Sequence, residues 1–113
     1  MIREIPRQIG RLKKLTTLRL NVNAIREIPS EIAELRELKT LDLTDNPGLS
    51  DIDHVTALTS LEELYLFGCN LARLPANIGD LKKLKRLGLT GNNIGKTEFE
   101  RIQKALPACE ITL

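Results

Sequence analysis

The chain has 113 residues, with 42% hydrophobic and 28% charged side chains and a net charge of +2. This length predicts one domain, and the composition is ordinary for a globular protein. The balanced charge gives no electrostatic case for binding nucleic acid or an anionic membrane, since both usually require a clustered basic face. Two cysteines do not make a disulfide framework, and no apolar run approaches the roughly 18 residues of a membrane span.

The N-terminal segment, MIREIPRQIG, is charged and has no apolar run, so it does not read as a signal peptide. Together with the lack of a disulfide framework, this predicts cytoplasmic residence. A bacterial effector exported by a dedicated secretion machine, without a cleavable signal, would have the same features. Both alternatives therefore stay open.

A repeated phrase organises the chain. LTTLRLNVNAI begins at Leu15, LKTLDLTDNPGL at Leu38, LEELYLFGCNL at Leu61 and LKRLGLTGNNI at Leu84, with a constant step of 23 residues. A shortened copy, ACEITL, begins at Ala108. We therefore predict a single domain over 1–113, made of a half repeat (1–14), four repeats (15–37, 38–60, 61–83, 84–107) and a C-terminal capping strand (108–113).

The phrase LxxLxLxxNxL resembles the unit of leucine-rich repeat (LRR) proteins. The second half of the unit, [IL]xx[IL]PxxI[AG]xLxxL, occurs at 2–15, 25–38 and 71–84 and is similar to the 23-residue subclass of intracellular scaffolds and bacterial repeat proteins. The resemblance implies an α/β solenoid, with a curved parallel β-sheet on the concave side and short helical or 3-10 segments on the convex side. It also implies a recognition module without activity of its own.

The spacing within the unit explains how such a solenoid holds together. Alternate residues of a strand share a face, so positions four and six of each unit point inward. These positions hold Leu18 and Leu20, Leu41 and Leu43, Leu64 and Leu66, and Leu87 and Leu89. Only stacked units can bury them, which makes stability a sum of nearest-neighbour contributions. The return segments begin at Pro6, Pro29 and Pro75, and their Ile and Leu residues close the core from the far side.

The second unit and the C-terminal end depart from the template. DNPGLSDIDHV has one extra residue before Leu49 and one fewer between Ile52 and Val55. We predict a tight turn at 46–48, with a re-aimed loop at the concave rim as the functional alternative. Near the end, Thr97 and Glu100 predict a capping box for a helix that bears Phe99, Ile102 and Leu106 and ends at Pro107.

The N-terminal end has no comparable cap. Ile2 aligns with Ile25, so the strand at 15–20 is predicted to be an open sheet edge. Exposed edges invite pairing with another chain, and repeat arrays normally need caps at both ends. Either the chain is part of a longer array, or self-association covers the edge.

The ninth position of the unit holds Asn23, Asn46 and Asn92, and in the third unit Cys69. The resemblance implies that these asparagines form a ladder whose amides bond backbone groups of neighbouring turns. Cysteine is a small, mostly apolar residue with a weak S–H donor, so it is tolerated there. Cys109 lies two units further on, about 2 × 4.8 Å away, beyond the roughly 7 Å reach of a disulfide. We therefore predict two free thiols.

No catalytic, cofactor or metal motif is recognisable. His54 is the only histidine and stands beside Asp51 and Asp53 on the convex return segment. A metal site would need more ligands, and a catalytic dyad would need a nucleophile held nearby, so a solvated histidine is predicted. The segment GNNIGK lacks the order and spacing of a phosphate loop. We expect no cofactor and no metal.

Positions three, five and seven of each unit, Thr40 among them, are predicted to face the concave side, and six of these residues are the candidate partner-binding residues. They are Arg19, Asp42, Glu63, Tyr65, Phe67 and Arg86. Tyr65 and Phe67 are not needed by the core, and aromatic residues near the middle of a surface are typical anchors of protein interfaces. The alternative is that they only cover the sheet. Gly88 is expected to leave a step beside Tyr65 for a partner side chain.

Lateral neighbours of opposite charge are expected on the same surface, Arg19 beside Asp42 and Glu63 beside Arg86, either paired or orienting a partner. The predicted function is binding of a protein or peptide through the concave face, with no nucleic acid, membrane or intrinsic catalysis. The alternatives are the targeting or substrate-recognition part of a larger enzyme or effector (a ligase, GTPase or kinase), and a self-associating repeat fragment. A small enzyme in its own right is the least favoured reading, because no cluster of titratable groups is apparent.

Overall fold

The computed structural model describes all residues from 1 to 113. Five short parallel strands form one sheet in chain order. They are β1 (Thr17–Arg19), β2 (Thr40–Asp42), β3 (Glu63–Tyr65), β4 (Arg86–Gly88) and β5 (Glu110–Thr112). The predicted α/β solenoid is confirmed, although β1 is shorter than the segment expected at 15–20.

The register of the sheet follows the repeat. Leu18 of β1 pairs with Leu41, Leu41 with Leu64, Leu64 with Leu87, and Leu87 with Ile111. Equivalent side chains therefore form lateral rows across the sheet, which is what places residues of different units side by side.

The convex side is built from short 3-10 helices and one α-helix. The 3-10 helices span Arg7–Arg11, Ser30–Glu34, Asp53–Ala57 and Ile78–Asp80, and α1 spans Lys96–Ala105. Pro6 and Pro29 stand directly before the first two, in extended backbone that starts the turn without needing an N–H donor. No helix in the protein is both long enough and apolar enough to cross a membrane.

The core lies between the strands and the convex helices. The inward leucines of β2 and β3 and the convex residues Ile32, Leu35, Ile78 and Leu81 are fully buried, as predicted. Leu18 and Leu20 are only partly buried, because β1 has a neighbouring strand on one side alone. The same residue type in the same phrase is therefore protected only as far as an adjacent unit covers it.

The second unit forms the predicted turn at 46–48. The Leu49 N–H donates to the Asn46 carbonyl oxygen at 3.0 Å. The segment after the turn pairs with the first unit, through a parallel bridge between Glu27 and Asp51. The extra residue is thus absorbed locally, and the sheet register beyond it is unchanged.

The predicted capping box at the start of α1 is wrong. The helix begins at Lys96, its N-cap is Gly95, and no side chain caps it. The Glu98 carboxylate instead accepts the Leu74 N–H at 2.8 Å and two bonds from the Arg101 guanidinium, at 2.6 and 2.8 Å. Arg101 also donates to the Leu74 carbonyl oxygen at 2.9 Å. A charge-assisted link between units is stronger than a neutral cap of about 1 kcal/mol.

Candidate binding surface

Two lateral rows make up the concave surface. One contains Thr17, Thr40, Glu63, Arg86 and Glu110, and the other contains Arg19, Asp42, Tyr65, Gly88 and Thr112. Phe67 lies two residues beyond Tyr65, on the same face. The structure brings four of the six predicted residues into one contact network, namely Glu63, Tyr65, Phe67 and Arg86. Arg19 and Asp42 lie to one side of it.

Tyr65 and Phe67 form a stacked pair. Their ring centroids are 5.9 Å apart and their planes differ by 14°. Both rings are partly buried, so they are less exposed than the sequence suggested. Stacking fixes the two rings relative to each other, which lowers the entropy that they would lose on contact with a partner.

The expected step at Gly88 does not exist. A Cβ atom built on Gly88 would overlap Cζ of Phe67, so the Phe67 ring already fills that space. Gly88 is buried for the same reason. Glycine is required here because the aromatic ring rests directly on the backbone of β4. The stack therefore presents a filled aromatic platform in place of a socket.

Glu63 is held in a fixed position at the centre of the surface. Its carboxylate accepts a hydrogen bond from the Thr40 hydroxyl at 2.9 Å and from the Tyr65 hydroxyl at 3.0 Å. The Arg86 guanidinium lies 3.7 Å away. The Thr40 bond, then the Tyr65 bond, and to a smaller extent Arg86 lower the pKa of Glu63. Glu63 is therefore an ionised acceptor with a defined orientation near neutral pH.

Only one of the two expected charge pairs forms an ion pair. Glu63 and Arg86 form an ion pair, whereas Arg19 and Asp42 are neighbours in register but make no ion pair. Asp42 instead accepts the backbone N–H of Thr44 at 3.0 Å. Arg19 is exposed, so its cation remains available at the β1 side of the surface.

The ninth positions form a hydrogen-bonded ladder beneath the loops that follow the strands. Asn46 is fully buried; its amide donates to the carbonyl oxygens of Leu20 (3.0 Å) and Leu43 (2.8 Å) and accepts the Ile25 N–H (3.0 Å). Asn92 likewise donates to Leu66 (2.7 Å) and accepts the Leu71 N–H (2.8 Å). Each asparagine therefore links its own unit to the preceding one.

Asn23 stands at the end of this ladder. Its amide donates only within its own unit, to the carbonyl oxygens of Leu20 (3.0 Å) and Asn21 (3.3 Å). Its side-chain oxygen accepts the Ile2 N–H at 2.9 Å, so the half repeat satisfies one of its bonds between units.

Cys69 keeps the donor half of the asparagine role. Its Sγ lies 3.1 Å from the Leu43 carbonyl oxygen and 3.6 Å from that of Phe67. Burial raises the pKa of the thiol, which keeps it protonated and able to donate. The Leu49 N–H, which corresponds to the Ile25 N–H that Asn46 accepts, does not need Cys69 as an acceptor, because it is already bonded within the turn at 46–48. Both Cys69 and Cys109 are free.

The lone histidine lies where the sequence placed it. His54 is exposed in the 3-10 helix Asp53–Ala57 on the convex side. No group of three or more His, Cys, Asp or Glu side chains is arranged to hold a metal ion.

Comparison with known proteins decides the family. Residues 1–110 match the family described as a leucine-rich repeat region. The chain belongs to the leucine-rich repeat family. It is similar to a solved LRR protein of Leptospira interrogans, with 38% identity, a TM-score of 0.91 and 96% of this chain covered. The chain spans 28% of the length of that protein, and no curated protein matches.

The LRR register shows one residue that the sequence-based selection missed. Thr40 was placed on the outward face but was left out of the site, although its hydroxyl fixes Glu63. The available signal was the period, since Thr40 precedes Glu63 by 23 residues and so lies beside it in the same row. Selection by charge and aromaticity overlooks a neutral residue whose role is to position a charged one.

Proposed function

We propose that this LRR chain is a non-catalytic interaction module that binds a protein or peptide through its concave surface. The observation that carries the proposal is the stacked pair of Tyr65 and Phe67 beside the fixed carboxylate of Glu63. Aromatic anchors near the centre of a surface, bordered by oriented polar groups, are the usual composition of an interface hot spot.

The arrangement also suggests which groups of a partner the surface would recognise. The aromatic platform supplies apolar area at little cost in side-chain entropy. Glu63 offers an oriented acceptor for a cationic or N–H group of the partner. Arg19 offers a free cation at the β1 side for a carboxylate. Charged residues of this kind mainly set the orientation and the association rate, while the aromatic pair supplies most of the affinity.

The test is affinity capture from a lysate of the source cell, with wild type, the double variant Tyr65→Ala/Phe67→Ala and a convex control, Arg7→Ala/His54→Ala. Each aromatic truncation is expected to cost about 2 kcal/mol or more of binding free energy. A partner kept by wild type and control but lost by the double variant supports the proposal. A partner kept by all three, with circular dichroism showing that the double variant is folded, would place the binding site elsewhere.

A second candidate function is self-association through β1. Leu18 and Leu20 are only partly buried, and the Asn23 amide has no carbonyl of a preceding unit to bond. An added strand would bury both leucines and provide that carbonyl. Sedimentation equilibrium over a hundredfold concentration range tests this idea. A rising average mass supports it, and a constant monomer mass contradicts it.

A further inference from the structure

The loops that lead into the strands gather positive charge on one edge of the solenoid. Equivalent segments 13–16, 36–39, 59–62 and 82–85 lie side by side, linked by backbone bonds such as Lys39 N–H to Thr16 (2.8 Å) and Lys85 N–H to Glu62 (2.7 Å). We call these four segments the basic rim. They contain seven lysines or arginines and two glutamates, an excess of five positive charges, whereas the whole chain carries +2.

Most of these cations have no partner within the chain. Lys13 pairs with Glu34 at 3.2 Å and Lys85 with Glu62 at 3.4 Å. The remaining five, which are Lys14, Arg36, Lys39, Lys82 and Lys83, form no ion pair and are exposed. Although the net charge of the whole chain is small, the stacking of units therefore gathers positive charges on one edge of the solenoid.

The second unit (38–60) interrupts the basic rim with a notch. Where the other units carry long charged side chains, this unit has Thr59 and Ser60. The result is a recess of about 530 Å³ lined by Arg36, Thr59, Ser60, Asp80, Lys82 and Lys83. Arg36 belongs to the preceding unit, and Lys82 and Lys83 belong to the following one. Cations therefore lie on both sides of the Thr59 and Ser60 hydroxyls, and the two sides are roughly 10 Å apart, which is two strand spacings.

We propose that this notch binds carboxylate side chains of an acidic protein segment. The Thr59 hydroxyl makes no hydrogen bond within the chain, while Ser60 donates to the Leu38 carbonyl oxygen at 2.6 Å. A carboxylate in the notch would meet Arg36 on one side, Lys82 and Lys83 on the other, and the Thr59 hydroxyl below. Asp80 also lines the recess, its carboxylate 3.3 Å from the Asn77 amide, and limits how much negative charge can enter.

The same residues disfavour a nucleic acid as the occupant. Glu37, Glu62 and Asp80 are acidic residues among these cations and would repel a row of phosphates with fixed spacing, whereas the flexible side chains of an acidic peptide can place their carboxylates at the notch. The three aromatic residues are Tyr65 and Phe67 on the concave surface and Phe99 in α1, so the rim has no ring on which bases could stack.

The experiment uses a fluorescein-labelled hexaglutamate peptide as the probe, followed by fluorescence anisotropy at low and at physiological salt. We expect binding that weakens as salt rises. Lys82→Gln/Lys83→Gln should weaken it roughly tenfold, as the loss of two exposed ion pairs implies. The control Lys96→Gln/Lys104→Gln removes the same charge from α1 and should change binding less than about twofold. An equal loss in both variants would overturn the proposal.

A notch-filling variant, Thr59→Arg, separates a shaped site from diffuse attraction. It adds a cation but fills the recess, so the proposal expects weaker binding, whereas general attraction to a basic surface expects stronger binding. Stronger binding therefore overturns the proposal, as does a failure of the peptide to bind wild type. Binding of an oligothymidylate in place of the peptide also overturns it, since the occupant would then be a nucleic acid. Circular dichroism checks that each variant is folded.

Discussion

Asn46 and Cys69 occupy the same position in neighbouring units, yet they do different work. The Asn46 side chain donates to two carbonyl oxygens and accepts one N–H, so it bonds three backbone groups. The Cys69 thiol donates to the Leu43 and Phe67 carbonyl oxygens but does not accept the Leu49 N–H. The difference arises one unit earlier, where the extra residue in the turn at 46–48 lets Leu49 bond to Asn46 without help.

This comparison indicates that an insertion and a substitution 23 residues apart belong together. In a solenoid, the residue that satisfies a turn is supplied by the next unit, so a change in one turn alters what the following unit must provide. Cysteine is acceptable at 69 because the turn before it is irregular. The same thiol at 46 would leave the Ile25 N–H with only a weak acceptor in place of the amide oxygen.

The largest predicted effect on stability comes from truncating Asn46, and it is compared with the effect of truncating Cys69. Asn46→Ala should lower the free energy of unfolding by about 2–3 kcal/mol, because the buried Ile25 N–H loses its acceptor and the Leu20 and Leu43 carbonyl oxygens each lose one of two donors. Cys69→Ala should lower it by only about 1 kcal/mol, since the variant loses a weak donor and a small volume. Urea denaturation of both variants measures the difference. Equal losses would contradict the unequal roles.

The period alone is sufficient to predict the sheet, the register and the buried leucines, because stacking by 23 residues fixes which side chains share a row. The period does not predict the conformation of a side chain or which neighbour in its row it contacts. The ring of Phe67 turns onto Gly88 because the missing Cβ leaves room there. The capping box expected from Thr97 and Glu100 does not form, and Glu98 instead joins a charged network with the Leu74 N–H and Arg101. The basic rim was not predicted, because the net charge of a chain does not show where its charged residues lie in the fold.

A deletion tests the coupling between the turn and the ladder directly. Removing Pro47 takes away the turn that satisfies the Leu49 N–H, and the Cys69 sulfur is only a weak acceptor for it. In a Cys69→Asn background, the side-chain amide oxygen can accept the Leu49 N–H, as the Asn46 oxygen accepts the Ile25 N–H. Cys69→Asn alone should bring no stabilisation, because Leu49 is already bonded.

The cycle of the two changes is therefore expected to show a favourable coupling of about 1–2 kcal/mol, measured by urea denaturation of wild type, both single variants and the double variant. Additive losses would show that the turn and the ladder position are independent.

The smallest predicted effect concerns a third kind of link between units. In the first unit the Ile28 N–H donates to the backbone carbonyl of Asp51 at 3.1 Å, whereas in the third unit the equivalent Leu74 N–H donates to the Glu98 carboxylate. Only the second link can titrate. Arg101 holds the pKa of Glu98 below its ordinary value, despite burial that opposes this.

The folded-state pKa of Glu98 thus lies below the unfolded value of about 4.3, so this link stabilises fully above about pH 4.3 and is lost as the pH falls through the folded pKa. Glu98→Gln should cost about 1 kcal/mol at pH 7, and the gap to wild type should close in strong acid. Glu100→Gln, on the same helix and without a bonded partner, is the control and should change little. Urea unfolding at pH 7 and below pH 3 measures both gaps. A Glu98→Gln loss that persists unchanged in acid would mean that the carboxylate acts by shape alone, and the neutral and ionised links would then be equivalent.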